Sequence, residues 1–451
     1  MIEYLEKINT YSDLTALCFE DESYTYQQVS ERIEYYYNKS SALKPGSVVS
    51  IISDYSFESI SLFFALAKRK CIIAPIVSAN VEEIAKRENE ILPDATVTIQ
   101  VKGEVQFSYH DNLAPRHDLI SKIRAKEHAG LILFSSGSTG KPKAMIHDLN
   151  VLSSTYLDKK PKKLSIMVFL MFDHIGGLNT LLNSMSMGAK IVIPTKREPE
   201  HVAYLIEREN VNLLPASPTF LNMMLIAGVQ NNFNLKSLRM ITYGTEAMPE
   251  SLLARLKQEW PRVKLLQTFG TSETGIAQTS SRSSSSLEIK IDDPNQEFKI
   301  VNGELWLRSK TQILGYLNHD MSGFSDDGWF KTGDLVEESE DGYLKIIGRL
   351  KEVINVGGEK VLPSEVESCI LEVKGVSDCV VYAVANAITG QTVATNVVLE
   401  VGADEKVVKK EIRKHCKVNL DRYKVPTKII FSKDAAIGER FKKIRLDKYE
   451  A

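Results

Sequence analysis

The central segment of the chain reads Leu131-Ile-Leu-Phe-Ser-Ser-Gly-Ser-Thr-Gly-Lys-Pro-Lys-Ala-Met-Ile-His147. Its apolar first residues, Leu131 to Phe134, predict a buried strand. Two cations, Lys141 and Lys143, lie near its end. Between Phe134 and Lys141 are six small residues, whose backbone N–H groups and hydroxyls can close around an anion: Ser135, Ser136, Gly137, Ser138, Thr139 and Gly140. Together these features suit a polyphosphate.

The loop differs from a Walker A sequence. That pattern requires Gly five residues before the Gly-Lys pair and Ser or Thr after the Lys. Here the first position is Ser135, and Lys141 is followed by Pro142, which has no N–H. A Ser/Gly-rich surface turn is the alternative interpretation, because turns favour the same residue types.

The composition is that of an ordinary globular protein. The 451 residues are 43% hydrophobic and 25% charged, and the formal net charge of -2 gives no overall attraction to nucleic acid or anionic membrane. The five cysteines lack metal-ligand spacing and fit reduced thiols. The first residues lack a signal-peptide pattern, and no stretch is apolar for long enough to cross a bilayer. We therefore expect a cytoplasmic protein with no nucleic-acid partner and no integral membrane segment.

Strand and helix patterns alternate over most of the chain. A strand at Ser47–Ile52 precedes an apolar-faced helix at Phe57–Ala67 and a further strand at Cys71–Val77, and the alternation continues to a strand at Lys264–Thr268. This pattern predicts an α/β fold with doubly wound sheets. Ligands bind at the carboxyl ends of strands in such sheets, which is where the loop after Phe134 lies.

Two changes of pattern divide the remaining sequence. After Phe269 short strands dominate, with a hairpin signal at Asn302-Gly303 and a Ser-rich stretch, Ser280–Ser286, that predicts an exposed flexible loop. Beyond Gly348, Ser364 with Glu367 three residues later predicts a capped helix start. We expect a large domain over residues 1–348, built of doubly wound mixed sheets with helices plus a β-rich subdomain, and a small mobile α+β domain over residues 349–451.

Four further stretches combine glycine with polar side chains in loops. They are Tyr243-Gly-Thr-Glu-Ala-Met-Pro249, Gln267-Thr-Phe-Gly-Thr-Ser-Glu-Thr-Gly275, Gly328-Trp-Phe-Lys-Thr-Gly-Asp-Leu335 and Gly348-Arg-Leu-Lys-Glu-Val-Ile-Asn-Val-Gly-Gly-Glu-Lys360. Each alone could be a connecting loop. Their joint occurrence in this order is far more specific.

With these stretches, the sequence resembles the adenylate-forming superfamily of acyl-CoA synthetases, luciferases and peptide-synthetase adenylation domains. Ser135 to Lys143 match its phosphate loop, and Gly270-Thr-Ser-Glu273 match its YG-x-[TS]-E motif with Phe269 in place of Tyr. Lys331-Thr-Gly-Asp334 match its TGD motif, and Gly348-Arg-Leu-Lys-Glu352 match its hinge motif. The resemblance covers essentially the whole chain.

The resemblance implies a two-step reaction. A carboxylate attacks the α-phosphate of ATP, giving an acyl-adenylate and pyrophosphate, and a thiol then displaces AMP. Glu273 matches the Mg²⁺-associated carboxylate and Ser272 the hydroxyl near the α-phosphate. The positions that match the nucleotide site, besides the phosphate loop, are Gly244, Thr245, Glu246, Thr268, Phe269, Gly270, Thr271, Asp334, Ile346 and Arg349, with Asp334 on the ribose and Gly244 to Glu246 along the adenine.

The small domain is expected to supply a catalytic lysine. Lys443, which precedes Ile444, is the best match, although the family's preceding Gly is replaced by Lys442. A solvated basic tail is the alternative interpretation. By the same resemblance Lys351 is the hinge for a rotation of the small domain, and Gly357 and Gly358 face the pantetheine arm of the thiol substrate.

The acid-binding positions are the least determined. His174 in Phe172-Asp-His-Ile-Gly-Gly-Leu178 matches the histidine that gates the acyl site of CoA ligases, whereas Asp173 matches the ammonium-binding Asp of amino-acid-activating domains. A third interpretation is that both residues merely cap the helix beginning near Ile175. Other expected contacts to the acid come from Ser217, Gly244 and Gly270.

The identity of the acid remains open between fatty, aryl and amino acids. Coenzyme A is the favoured acceptor, with the phosphopantetheine of an acyl carrier protein as the alternative and a non-catalytic nucleotide-binding relative as a third reading. The sequence is compatible with a monomer or a homodimer.

Overall fold

The computed structural model describes residues 1–100, 103–111, 115–135 and 141–432, together with Gly438 and Lys443. Of the phosphate loop, Ser136, Gly137, Ser138, Thr139 and Gly140 therefore lie outside the described residues, as do Lys442 and Ile444. Within the described ranges, no helix has both the length and the apolar character needed to cross a bilayer.

The first part of the chain alternates helices and strands, as predicted. In order, its elements are α1 (Ile2–Asn9), β1 (Thr15–Phe19), β2 (Glu22–Thr25), α2 (Tyr26–Lys39), β3 (Val48–Ile52), α3 (Phe57–Lys68), β4 (Ile72–Ile76), α4 (Val81–Ile91), β5 (Ala95–Ile99), β6 (Val105–Tyr109), α5 (Asp118–Ala125), β7 (Gly130–Ser135), β8 (Lys143–Asp148), α6 (Leu149–Ser154), β9 (Ser165–Met167), α7 (Ile175–Ser186), β10 (Lys190–Val192), α8 (Pro199–Glu209), β11 (Leu213–Ala216), α9 (Pro218–Ile226), α10 (Val229–Asn232), β12 (Met240–Tyr243), α11 (Glu250–Glu259) and β13 (Lys264–Gln267).

These strands form two mixed sheets with the helices around them. One sheet has the order β13-β12-β11-β9-β10-β1-β2, and all its neighbouring strands are parallel except β1 and β2. The other contains β8-β7-β4-β3-β5-β6, with β3, β4, β5 and β7 paired in parallel. Helix α3 is apolar on nearly every side and buried from Ser59 to Ala67, which is typical of a helix enclosed within a core. Its phenylalanines join the largest core cluster.

The β-rich part follows directly. Its strands are β14 (Phe269–Thr271), β15 (Gly275–Ala277), β16 (Thr279–Ser281), β17 (Glu288–Ile291), β18 (Gln296–Val301), β19 (Glu304–Ser309), β20 (Gly315–Tyr316), β21 (Phe330–Glu338) and β22 (Leu344–Arg349). The predicted hairpin at Asn302-Gly303 is confirmed, because β18 and β19 pair across it and both turn residues have positive φ. Strand β20 leaves this part and pairs with β8.

The C-terminal part has its own sheet and its own core. A 3₁₀ turn at Leu350–Glu352 leads into β23 (Ile354–Val356), β24 (Glu359–Val361), α12 (Pro363–Leu371), β25 (Val376–Asn386), β26 (Gly390–Leu399), α13 (Glu405–Asn419), a second 3₁₀ turn at Arg422–Lys424 and β27 (Lys428–Ser432). This agrees with a small α+β domain. The proposed boundary at residue 348 stays a prediction.

One local prediction was wrong and another was correct only in part. Ser364 does not cap α12: the helix begins one residue earlier at Pro363, and the Ser364 hydroxyl donates to the Ile347 carbonyl at 2.8 Å. Proline is favoured at the first helical position because it has no N–H to satisfy. The stretch Ser280–Ser286 is not simply a loop either, since Ser280 and Ser281 belong to β16, and the Ser281 hydroxyl accepts from the Gln267 N–H at 3.1 Å.

Candidate active site

The phosphate loop joins two paired strands. Strand β7 ends at Ser135, which lies opposite Lys143, the first residue of β8, in an antiparallel register. The two ends of the loop are therefore one strand spacing apart. The Lys143 ammonium lies 5.6 Å from the centre of the Tyr316 ring, within the range of a cation–π contact. Lys141 is exposed.

The same tyrosine contacts Glu273. The Tyr316 hydroxyl donates to Glu273 Oε1 at 3.0 Å. Burial, followed by the Glu273 charge, raises the pKa of Tyr316 above its usual value, so this hydroxyl remains a donor at neutral pH. Tyr316 therefore contacts both Lys143, at the end of the phosphate loop, and Glu273, the candidate Mg²⁺-associated carboxylate.

A tight hairpin presents Ser272 and Glu273. It is formed by β14 and β15, in which Gly270 pairs with Ile276. A Cβ atom at Gly270 would lie 2.4 Å from the Gly275 carbonyl oxygen and 2.7 Å from Ile276 Cα, so no side chain fits there. In the turn, Thr271 Oγ1 accepts from the Thr274 N–H at 3.1 Å. The Phe269 side chain is buried in the β-rich core, which leaves only its backbone for a nucleotide.

The segment after β12 is also crowded and strained. A Cβ atom at Gly244 would lie 2.8 Å from the Thr268 carbonyl oxygen. Thr245 has a φ of 72°, a left-handed conformation that is rare for β-branched residues and costs about 1–3 kcal/mol. Its Oγ1 is buried and has no hydrogen-bond partner among the described residues. Such strain and an unsatisfied hydroxyl are typical of ligand sites.

Glu246 in this segment is held from two sides. Its Oε1 accepts from the Thr219 N–H at 2.7 Å and its Oε2 from the Lys443 N–H at 3.2 Å. Burial raises the pKa of Glu246, and the contacts from Thr219 and Lys443 offset part of this effect. The first contact joins the segment to the N-terminus of α9.

Asp334 and Arg349 form a cross-strand pair between β21 and β22. Their residues are in register, and Arg349 Nε donates to Asp334 Oδ1 at 3.0 Å. The side chain of Asp334 is 6% exposed and that of Arg349 is 56% exposed, so the guanidinium points outward from a fixed carboxylate. Ile346, on the same strand as Arg349, is half-buried.

His147 lies behind these loops on β8. Its side chain is buried, and burial lowers the pKa of the imidazole to about 4, although the backbone of Thr311 and Ser272 favours the protonated form. The ring is therefore neutral at physiological pH.

The candidate acid-binding residues are already engaged. Arg87 Nη1 donates to Asp173 Oδ2 at 2.8 Å. His174 is the N-cap of α7, where its Nδ1 accepts from the Gly176 N–H at 3.0 Å, so the capping interpretation holds for His174. Ser217 is the N-cap of α9 and its hydroxyl accepts from the Phe220 N–H at 3.1 Å.

Lys443 contacts both parts of the chain. Its ammonium pairs with Asp378 Oδ1 at 2.7 Å and donates to the Cys379 carbonyl at 2.7 Å. Burial alone would lower the pKa of Lys443, but the carboxylates of Asp378 and Glu367 more than compensate and raise it. The lysine lines a solvent-open cleft of about 460 Å³ between α9, α11 and α12. Its ammonium is directed at the small domain, whereas its backbone contacts Glu246.

The remaining predicted positions lie at the surface or at strand ends. Lys351 is exposed in the 3₁₀ turn at Leu350–Glu352. Gly357 and Gly358 form the two-residue turn between β23 and β24 with φ values of 62° and 97°, which requires glycine-like freedom. The Thr268 hydroxyl donates to the Tyr243 carbonyl at 3.1 Å.

Sequence reasoning missed three partners of the predicted residues, namely Arg87, Tyr316 and Asp378. Arg87 lies four residues after Glu83, a spacing that ordinarily indicates a surface ion pair. Tyr316 and Asp378 belong to strands whose positions opposite the site arise only from the sheet topology. No local pattern marks them.

Comparison with known proteins identifies the family of the chain. The AMP-binding enzyme family matches residues 5–317, and its AMP-binding enzyme C-terminal domain matches residues 365–437. The chain is 26% identical to the indoleacetate–CoA ligase of Aromatoleum aromaticum, over 92% of this chain and 91% of that protein. It is also 26% identical to a long-chain-fatty-acid–CoA ligase of Mycobacterium tuberculosis, over 86% of this chain and 84% of that protein.

The fold has a close counterpart among solved structures. ATP-bound MatB from Rhodopseudomonas palustris superposes with a TM-score of 0.80 at 21% identity, covering 97% of this chain and 96% of that one. At this identity the likeness concerns the fold, while the family model spans well over half of the chain. On these grounds the chain belongs to the AMP-binding enzyme family.

Proposed function

We propose that this protein activates a carboxylic acid with ATP, releases pyrophosphate, and transfers the acyl group from the acyl-adenylate to the thiol of coenzyme A. The observation that carries the proposal is the convergence of Lys143 and Glu273 on Tyr316. It brings a cation from the phosphate-loop stem and a carboxylate suited to a hard cation to the same place. The CoA-ligase names of the relatives support this reaction class.

The first half-reaction brings anions together, so their charge must be neutralised and their approach aligned. Lys141 and Lys143, with the small residues Ser135 to Gly140, would hold the β- and γ-phosphates that leave as pyrophosphate. Ser272 would donate toward the α-phosphate. These groups stabilise charge that develops on the leaving group and take no part in a covalent step.

Asp334, Arg349 and Thr245 would contact the nucleoside part of ATP. The rigid, buried Asp334 carboxylate can accept from ribose hydroxyls, while the exposed Arg349 side chain adds an always-charged contact. The buried Thr245 hydroxyl has a donor and an acceptor to offer the adenine.

Glu273 is the residue that would hold Mg²⁺, an ion that prefers carboxylate and phosphate oxygens and would screen the phosphate charge. Its orientation by Tyr316 is compatible with this role. The described ranges contain no group of three or more His, Cys, Asp or Glu side chains arranged to hold a metal by themselves. Phosphate oxygens and water would therefore complete the coordination.

Lys443 is the proposed catalytic lysine. To stabilise charge on the carboxylate and α-phosphate, its ammonium must leave Asp378 and Cys379. We propose that a rotation of the small domain about Lys351 brings Lys443 toward the substrate. Because Asp378 and Cys379 belong to the same domain, the ammonium must also exchange these partners for the substrate by a change of its own side-chain conformation. A second arrangement would bring the Gly357-Gly358 turn to the site, where glycines permit close approach of a pantetheine arm.

A pyrophosphate–ATP exchange assay across fatty, aryl and amino acids tests the proposal. Exchange that depends on one acid class, followed by CoA-dependent AMP release, is the expected result. Transfer to a carrier protein without CoA dependence would establish the alternative acceptor. If no acid supports exchange, the proposed function is wrong and a nucleotide-binding relative without this activity becomes the better description.

Two lysine variants test the catalytic assignment. Lys443→Ala should reduce exchange by about a thousandfold or more, since an electrostatic contact made in the transition state is lost. Thiolysis of a supplied acyl-adenylate should remain largely intact. Lys442→Ala is the matched control, because it removes the neighbouring cation; if it alone abolishes exchange, the assignment belongs to Lys442.

A further inference from the structure

The irregular segment before α7, residues 168–174, is held by two charge pairs, of which the second is almost fully buried. The first pair is Asp54 with Arg197, whose Nη1 and Oδ2 atoms lie 2.7 Å apart. Asp54 Oδ1 accepts from the Phe172 N–H at 3.1 Å, and Arg197 Nε donates to the Phe169 carbonyl at 2.5 Å. The backbone of the segment is therefore fixed from one side.

The second pair is Arg87 with Asp173. Both side chains are almost fully buried, with 10% and 1% exposure, and their charged atoms lie 2.8 Å apart. Glu83, one turn earlier on α4, contacts the other end of the guanidinium and is 35% exposed. The guanidinium also lies 5.8 Å from the centre of the Phe134 ring. Arg87 thus connects Phe134, the residue before Ser135 of the phosphate loop, with Asp173, two residues before the start of α7.

This position borders the site. Helix α7 packs against β15, the second strand of the hairpin that presents Glu273. Ile276 of that strand packs against the core cluster that contains Phe172 and Ile175. Asp173, the neighbour of Phe172, is therefore connected through Ile276 to Gly270, one of the expected contacts to the acid.

We propose that Arg87 is a positioning residue that determines the substrate class by occupying Asp173. A buried carboxylate at a binding site attracts a cationic group, because an unpaired charge is costly away from water. Here that cation is supplied by the protein. The acid site is therefore expected to take carboxylic acids without an α-ammonium group. This inference rests on the proposed function.

The test compares pairs of acids that differ only by an α-ammonium group, propanoate with alanine and 3-phenylpropanoate with phenylalanine, by pyrophosphate–ATP exchange. For the wild type we expect kcat/KM for the amino acid to be at most about one-hundredth of that for its partner. In R87M this ratio should shift at least about tenfold toward the amino acid, because the protein's own positive charge beside Asp173 is removed.

E83Q is the matched control. It removes the negative charge of Glu83 beside Arg87 but leaves the pair with Asp173, so the selectivity ratio should stay within about twofold of wild type. A ratio is used because general loss of structure lowers both rates together. Equal use of amino acids by the wild type, or an unchanged ratio in folded R87M, would overturn the proposal.

D173N decides the question if R87M does not fold, since it keeps an oxygen acceptor for Arg87. Because the proposal keeps Asp173 away from substrate, the KM for the acid should change less than about threefold. A rise of about tenfold or more would show that Asp173 contacts the substrate and would overturn the inference. Absence of exchange with any acid would instead overturn the proposed function, and this inference with it.

Discussion

The buried His147 side chain, behind the candidate site, should make the stability of the protein depend on pH. His147 is buried as a neutral imidazole with its pKa lowered to about 4. The unfolded chain binds this proton below its ordinary pKa of about 6.5, whereas the folded protein does not. The free energy of unfolding is therefore unaffected by the titration of His147 above about pH 6.5, and it decreases as the pH falls toward the pKa of about 4 in the folded protein.

We accordingly expect His147→Asn to flatten the pH dependence of unfolding. Between about pH 7 and pH 5 the wild type should lose about 2 kcal/mol more unfolding free energy than the variant does. Urea denaturation at several pH values measures the difference. Parallel curves for the two proteins would show that His147 does not titrate in this way.

Substitution of Thr245 should affect ligand binding more than it affects stability. Thr245→Gly relieves the left-handed backbone strain, but it also makes the unfolded chain more flexible, so we expect stability to change by no more than about 1 kcal/mol. The KM for ATP should rise about tenfold because the buried hydroxyl is lost. Thr245→Ser is the control that keeps the hydroxyl. If it weakens ATP binding as much as the glycine variant, the hydroxyl is not the reason.

At the scale of elements, the β14–β15 hairpin tolerates no side chain at Gly270. In Gly270→Ala, the Cβ would meet backbone atoms of Gly275 and Ile276, so the strands must separate at a cost of about 2 kcal/mol or more. The displacement carries Ser272 and Glu273 with it, and exchange activity should fall at least about a hundredfold.

Gly323→Ala provides the comparison for this hairpin variant. Its Cβ would lie 3.5 Å from Phe330 Cε2, an ordinary contact. Melting temperature and exchange rate should both remain close to wild type. Comparable losses in the two variants would mean that any added methyl group in this region is damaging, and would remove the special role assigned to Gly270.

Elements with strong periodicity were predictable from the sequence. The helix predicted at Phe57–Ala67 begins at Phe57 and ends at Lys68, because its run of apolar residues is a local signal. The predicted start of α12 was wrong because both Pro363 and Ser364 are residue types that favour a helix start. The Ser364 hydroxyl donates to the Ile347 carbonyl instead of capping the helix, and the sequence alone does not reveal this contact. Tertiary contacts of this kind leave no local pattern.

At the scale of the whole molecule, the pair between Lys443 and Asp378 should influence the order of events. If the ammonium must leave Asp378 before adenylation, Asp378→Asn lowers the cost of departure. We expect single-turnover adenylate formation to accelerate up to about tenfold, with thiolysis unchanged. Rapid-quench measurement of both half-reactions tests this.

Glu365→Gln is the matched control for that prediction. Glu365 also pairs with a lysine in the C-terminal part, Lys424, at 2.7 Å, but this pair does not involve the proposed catalytic residue. It should leave both half-reactions unchanged. Slower adenylation in Asp378→Asn would indicate that the pair supports the active arrangement.

The candidate site could be predicted only in part from the sequence, because some of its contacts join distant segments of the chain. Motif residues such as Asp334 and Arg349 could be selected because each stands in a distinctive local context, and the structure pairs them across β21 and β22. The engagement of Asp173 by Arg87 depends on chain segments 86 residues apart. Its consequence for substrate choice became visible only when the two segments were placed together.

The pairing of Ser135 with Lys143 also has a thermodynamic consequence. Joining the ends of a loop costs conformational entropy that increases with the logarithm of its length. Here strand pairing on folding brings those ends together before any nucleotide arrives. The cost of closing the loop is therefore part of the free energy of folding and not of polyphosphate binding, and changes in loop length should alter folding stability more than they alter binding.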